Sequence, residues 1–187
     1  MPSLDLLASC RLCSRRCGVN RLAGQTGFCR AGALPRVALV SLHPWEEPCI
    51  SGSRGSGTVF FSGCNLACVY CQNHDISQAD QGSDITVERL AEIFLEQQER
   101  GAHNLNLVTP TPYVPQIIAA LPLARSSGFK LPVVYNTSSY ETVETIELLR
   151  GWGDVDLPGL KCYSDGLAVR LANAPGDFRQ ALQTIRA

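Results

Sequence analysis

The chain has 187 residues, a length typical of one domain, and 45% of them are hydrophobic, which is enough to bury a core. Its 16 basic and 17 acidic residues give a net charge of −1, and they form neither a basic stripe for nucleic acid nor a charged run for a membrane surface. The start of the chain, MPSLDLLASC, lacks the basic segment and long apolar stretch of a signal peptide or membrane span.

The chain contains nine cysteines, and seven of them fall into two closely spaced sets. A disulfide scaffold is disfavoured because the number of cysteines is odd, the chain is large enough to fold without disulfide bonds, and no export signal precedes it. We therefore expect reduced thiols that bind metal, in a protein of the cytoplasm.

Residues 1–57 form a first region, rich in Cys, Gly, Pro and Arg, that ends in the glycine-rich run 51–57. This region carries the first cysteine set, spaced C-x2-C-x3-C-x11-C: Cys10, Cys13, Cys17 and Cys29. Four thiolates at this spacing predict either a closed structural zinc site or an iron–sulfur cluster. Sulfur ligation alone does not distinguish the two.

A short apolar strand at 58–61 leads into the second set, Cys64, Cys68 and Cys71, spaced C-x3-C-x2-C. Three thiolates can hold a 4Fe–4S cluster by three of its corners, which leaves the fourth iron free to bind a substrate or cofactor. The alternative is a zinc site completed by His74, although zinc sites more often use paired C-x2-C elements.

Strands and helices alternate through a second region, residues 58–187. We predict strands at 58–61, 105–108, 131–135 and 154–161. The first predicted helix begins after an N-cap at Thr86 and ends at Gly101, and the second contains Ile117 and ends near Gly128. The third begins at a capping box at 138–141 and ends at Gly151. The remainder is predicted to be helical, with Asp177 as the cap of its last helix. This alternation predicts an α/β fold with a parallel sheet covered by helices, and ligands at the carboxyl ends of its strands.

The second cysteine set resembles the signature of the radical S-adenosylmethionine (radical SAM) superfamily, C-x3-C-x-aromatic-C, with Tyr70 in the aromatic position. The segments HPWEEP at 43–48, FFSGCNL at 60–66 and CVYCQN at 68–73 are similar to the pyruvate formate-lyase activating enzyme-like branch. The resemblance implies a partial, open (β/α) barrel of radical SAM type over 58–187, preceded by the Cys-rich metal-binding element.

The resemblance also implies a chemistry. A 4Fe–4S cluster on the second cysteine set would bind S-adenosyl-L-methionine and cleave it reductively to a 5′-deoxyadenosyl radical. The substrate would be a protein, as for a glycyl-radical activase, and the electron donor a flavodoxin or ferredoxin. The cofactor-binding residues implied are Tyr70, Asn106, Thr109, Thr111, Asn136, Thr137 and Lys161.

Several positions depart from the family pattern. Asn136 and Gly159 stand where related enzymes carry acids, and the end of the 105–108 strand has no carboxylate. Thr111 could instead cap the following helix, and Lys161 could be a solvated side chain.

The barrel also raises an expectation about its extent. We count four β/α units where such barrels have about six, so we expect either a truncated chain or a missing wall supplied by a partner or dimer. The competing functions are a truncated, non-catalytic iron–sulfur or zinc-binding module and a radical SAM enzyme that modifies a small molecule.

Overall fold

A computed structural model describes residues 2–79 and 81–187 of the chain. Its centre is a six-stranded sheet in the order β3-β1-β2-β4-β5-β6. The strands are β1 (Arg36–His43), β2 (Ser56–Phe61), β3 (Ser83–Asp84), β4 (Leu105–Val108), β5 (Val133–Thr137) and β6 (Val155–Pro158). The sheet is not closed into a full barrel, which is consistent with the partial barrel expected from the sequence.

Strands β2, β4, β5 and β6 run parallel to one another, as the alternation of strands and helices predicts. Strands β1 and β3 were not expected, and both pair antiparallel: β1 with β2, and β3 with β1. Strand β1 lies within residues 1–57, so this region contributes directly to the sheet. The division at residue 57 into two domains stays a prediction.

Seven α-helices accompany the sheet in the described ranges: α1 (Pro48–Ser51), α2 (His74–Ser77), α3 (Val87–Glu99), α4 (Val114–Ser126), α5 (Val143–Leu149), α6 (Asp165–Ala172) and α7 (Asp177–Arg186). The predicted N-cap Thr86 is confirmed, since its side chain accepts the Arg89 N–H at 3.1 Å. The main core lies between the sheet and helices α3 and α4, and includes Phe61, Phe94 and Ile117. In the part of the chain that is described, no helix is long and apolar enough to cross a membrane.

Two predicted helix caps are wrong. The segment 138–141 is not a capping box, because α5 begins at Val143 after Thr142, and Glu141 is buried inside the molecule. Asp177 is the first residue of α7 rather than its cap, and Gly176 occupies the cap position with φ of 71°. In both cases tertiary burial of a carboxyl group replaces the local hydrogen bond that the pattern indicates.

Three boundaries also differ from the predicted ones. Strand β5 covers 133–137 instead of 131–135, and β6 ends at Pro158 instead of continuing to residue 161. Thr111 begins a short 3-10 helix, Thr111–Tyr113, and its side chain does not cap α4. These shifts place Thr137 at the end of β5 and leave Lys161 in the loop after β6.

Candidate active site

The second cysteine set lies on a loop, residues 62–73, that follows the carboxyl end of β2; we call it the cysteine loop. Backbone hydrogen bonds attach this loop to the end of α6: the Ala67 N–H donates to Ala172 O and the Val69 N–H to Leu171 O, both at 2.8 Å. The Gln78 side chain adds a bond to Leu66 O at 2.7 Å. Hydrogen bonds to the end of α6 and to Gln78, which follows α2, therefore hold the cysteine loop and its three thiols in place.

All three thiols of this set line one cleft of about 650 Å³. Cys64 Sγ accepts the Leu66 N–H at 3.4 Å, and Cys71 Sγ lies 3.3 Å from Ser77 Oγ. Burial raises the pKa of Cys64 to about 12 and also raises the pKa of Cys68. The thiols of Cys64 and Cys68 are therefore protonated, and a bound metal must displace their protons.

The donor set fits an iron–sulfur cluster: three cysteine thiols face a shared cleft, and the fourth side is open to it. His74 does not line the cleft; its side chain is exposed and lies 3.6 Å from Asp75. Among residues 2–79 and 81–187, no three His, Cys, Asp or Glu side chains converge on one point to hold a single metal ion, so the fit to a cluster rests on the three thiols lining one cleft.

The other wall of the cleft is formed by the carboxyl ends of β4, β5 and β6. Five of the predicted cofactor-binding residues line it together: Thr109, Thr111, Asn136, Thr137 and Lys161. Thr109 has φ of 58°, which is a strained conformation for a β-branched residue. Strain of this kind is concentrated at binding sites, which supports a ligand role for the end of β4.

Asn106 is the one predicted residue that the structure does not bring to the cleft. It lies on β4 two residues before Val108, which does line the cleft, so the two side chains share a face of the sheet. Asn106 is fully buried beneath, and neither its Oδ1 nor its Nδ2 has a hydrogen-bond partner among the described residues. A contact between Asn106 and a cofactor stays a prediction.

Tyr70 and Lys161 are neighbours in the lining of the cleft. The Tyr70 hydroxyl lies 3.5 Å from Lys161 O and 3.8 Å from Cys162 Sγ, and the Tyr70 side chain is half exposed. The Lys161 side chain is exposed, yet it lines the cleft. Its ammonium group is therefore available to a bound carboxylate.

Sequence reasoning missed Glu141, which lies directly behind the strand ends. Its Oε1 accepts hydrogen bonds from the hydroxyls of Thr111 at 2.5 Å, Tyr135 at 3.2 Å and Thr137. Burial raises the pKa of this fully buried carboxyl group. Two of its three donors line the cleft, so Glu141 orients hydroxyls that a ligand would meet. No sequence signal distinguishes it from a surface residue of a capping box.

The loop after β1 also reaches the cleft, where His43, Trp45 and Glu46 form part of its rim. The His43 ring contacts the Phe60 ring edge-on at a centroid distance of 6.4 Å. Burial raises the pKa of Glu46. The position of this segment beside the cleft could have been inferred only if β1 had been recognised as a strand that pairs with β2.

The first cysteine set lies elsewhere. Cys10, Cys13, Cys17 and Cys29 line a second, small cavity together with apolar side chains of the same region. Burial raises the pKa of Cys13 to about 11 and raises that of Cys29. The structure thus brings the four cysteines of this set to one cavity, and their role as metal ligands stays a prediction.

Comparison with known proteins decides the family. The family model described as the radical SAM superfamily matches residues 58–187, which is more than half of the chain. The chain belongs to the radical SAM superfamily. Membership implies a 4Fe–4S cluster and S-adenosylmethionine, and the radical SAM cleft described above contains the thiols that would hold the cluster.

This radical SAM chain is also similar to a curated relative, the uncharacterized protein MJ0674 of Methanocaldococcus jannaschii. The two are 33% identical over 183 residues, which cover 93% of this chain and 52% of the relative. The chain thus spans about half the length of the curated relative that it matches.

Proposed function

We propose that the chain acts as a radical SAM enzyme that cleaves S-adenosylmethionine reductively and uses the product to activate or modify a protein. The observation that carries this proposal is the cleft itself, because the three thiols of the cysteine loop and five polar strand-end residues line the same cavity. Superfamily membership supports the chemistry, and the form of the cleft supports the substrate class.

When bound, the cluster and S-adenosylmethionine supply a low-potential electron and a 5′-deoxyadenosyl radical that abstracts hydrogen. The residues of the chain hold and orient these groups. Cys64, Cys68 and Cys71 would be the cluster ligands, and Lys161 would pair with the methionine carboxylate. The hydroxyls of Thr111 and Thr137 donate hydrogen bonds to Glu141, so their oxygens can accept hydrogen bonds from the cofactor.

The mouth of the cleft supports a protein as substrate. Trp45 lines the cleft with 86% of its surface exposed, and Tyr70, which also lines it, is 49% exposed. Exposed aromatic side chains around a cleft are typical of surfaces that bind other proteins. The exposure of these two side chains therefore supports a segment of another protein as the substrate.

The first test is 5′-deoxyadenosine release by the reconstituted, dithionite-reduced chain under anaerobic conditions with S-adenosylmethionine. We expect product from the wild type, loss of at least about 100-fold in Cys68→Ala, and an unchanged rate in Cys49→Ser, because Cys49 is exposed and lies outside both sets. Cluster binding without any product from the wild type would instead support a non-catalytic iron–sulfur module.

The substrate class needs a separate test. Extracts of host cells grown in deuterated medium can be divided by ultrafiltration into macromolecules and small molecules. We expect deuterium to enter 5′-deoxyadenosine from the macromolecular fraction. Transfer from the small-molecule fraction alone would contradict a protein substrate and leave the radical SAM activity in place.

A further inference from the structure

The small cavity of the first cysteine set adjoins the radical SAM cleft, since Thr111 lines both. Its walls include all four cysteines of the set and the apolar side chains of Leu12, Phe28 and Pro112. A tight loop presents the first three: the Cys10 N–H donates to Val19 O at 3.0 Å, and Cys10 O accepts the Gly18 N–H at 2.9 Å. Four thiols from a short loop and one distant residue thus face one apolar space.

We propose that Cys10, Cys13, Cys17 and Cys29 form a second metal centre that binds one zinc ion. Four sulfur donors complete the tetrahedral shell of zinc, so this site would be closed, as in structural zinc sites. The spacings C-x2-C and C-x3-C lie in the range that such sites use. On binding, each thiol releases its proton to solvent and no electron is transferred.

The size of the cavity favours zinc over an iron–sulfur cluster. It has room for little more than one water molecule, whereas the cysteine loop opens onto a cleft of about 650 Å³. A cubane of four irons and four sulfides needs far more room between its ligands than a single ion does. The thiols do not converge in the structure, so zinc binding requires their side chains to rotate towards the centre.

The zinc centre would also stabilise the radical SAM site, because the two are in contact. Arg15, inside the zinc-binding loop, donates from Nε to Asn65 O at 2.7 Å, and Asn65 follows Cys64. The guanidinium lies 3.3 Å from the centroid of the Phe28 ring, beside Cys29. Asn65 lines the zinc cavity as well. Fixing the first cysteine set therefore fixes one side of the cysteine loop.

The test is the zinc content of the full-length chain after anaerobic purification, measured by mass spectrometry of the metal. We expect about one zinc per chain in the wild type and in Cys49→Ser, and a loss of at least about tenfold in Cys17→Ser. Cys17 and Cys49 are both exposed, so the two substitutions carry a similar risk for folding. X-ray absorption of the wild type should show four sulfur neighbours at about 2.3 Å from zinc.

Three results would overturn the assignment. Iron and sulfide lost from Cys17→Ser, with no zinc in the wild type, would identify a second cluster. Equal zinc in Cys17→Ser and Cys49→Ser would place the zinc elsewhere. A wild type that binds no metal at these residues would show that the four cysteines serve only in packing. None of these results depends on S-adenosylmethionine cleavage, so each is distinguishable from a failure of the radical SAM activity.

Discussion

Asp177 is a carboxyl group that the fold buries at the start of α7. Burial and the nearby Asp165 raise its pKa to about 6, although the Cys162 N–H and the Lys161 ammonium group act in the opposite direction. The ionised form of this carboxyl group therefore disfavours the folded state, because the nearby donors do not fully replace its hydration.

We expect Asp177→Asn to remove part of the dependence of stability on pH. An aspartate in the unfolded chain loses its proton near pH 3.9, while folded Asp177 keeps it up to about pH 6. The folded state therefore binds more protons between these values, and the free energy of unfolding falls as the pH rises through this interval. In urea unfolding at pH 4.5 and pH 7, the wild type should lose about 1–2 kcal/mol more than the variant.

Asp5→Asn is the control for this change, because Asp5 is exposed and its substitution should leave the pH dependence intact. Glu141, whose pKa is also raised, contributes equally to the wild type and to both variants. Parallel stability curves for the wild type and Asp177→Asn would show that Asp177 is ionised in the folded chain throughout.

At the scale of elements, the segment that carries the first cysteine set packs directly against the cysteine loop. Gly63, with φ of 78°, is the second residue of this loop, and a Cβ there would overlap the carbonyl oxygen of Cys29. Arg30 adds a hydrogen bond from its guanidinium to Ser77 O at 3.0 Å. The segment that carries the first cysteine set thus forms one side of the site that carries the second.

We expect Gly63→Ala to separate these two elements. Any residue with a Cβ is strained at this φ, and here it must also displace the Cys29 backbone. The matched control is Gly24→Ala, since Gly24 has the same φ of 78° but nothing within 4 Å of its Cβ position. Gly24→Ala should cost about 1 kcal/mol and Gly63→Ala at least about 2 kcal/mol more in urea unfolding.

Iron retention gives this prediction a second measurement. During dialysis against an iron chelator, Gly63→Ala should lose iron several-fold faster than Gly24→Ala, because the cysteine loop loses its support. If both variants unfold at the same urea concentration and retain iron equally, the contact between Gly63 and Cys29 contributes nothing to the site.

The sequence predicted these elements unevenly, for physical reasons. Helix α3 is buried on one face and begins at a strong N-cap, Thr86, and strand β4 is a short run buried on both faces, so local pattern and tertiary structure agree. Strand β1 alternates only weakly between buried and exposed positions and lies among glycines and prolines, which conceals it. Strand β3 has two residues, too few for any pattern.

The site shows the same difference. Cysteine spacing predicts that the members of each set lie close together, because a short loop keeps them so, and each set does line one cavity. The strand-end residues followed from the rule that parallel sheets bind ligands at carboxyl ends. Glu141 could not be predicted, since its role depends on hydroxyls 30 and 4 residues away that only the folded chain assembles.

At the scale of the whole molecule, the sheet has two unlike edges. The short antiparallel strand β3 ends one side, and the parallel strand β6 ends the other in the described part of the chain. Val155 on β6 is 41% exposed, and the side chains beside it are largely exposed as well. An uncovered parallel strand offers backbone donors and acceptors to another chain.

We expect the chain to self-associate through β6 and Val155→Lys to weaken this association. A lysine on an edge strand opposes pairing because it brings like charges together and its ammonium group must stay hydrated. Sedimentation velocity over a range of concentrations should show association of the wild type, with a dissociation constant raised at least about tenfold in Val155→Lys.

The control is Val169→Lys, because Val169 is 50% exposed on α6 and does not belong to the edge strand. Association weakened equally by both lysines would indicate a general effect of charge, and a wild type that stays monomeric would show that the β6 edge does not pair.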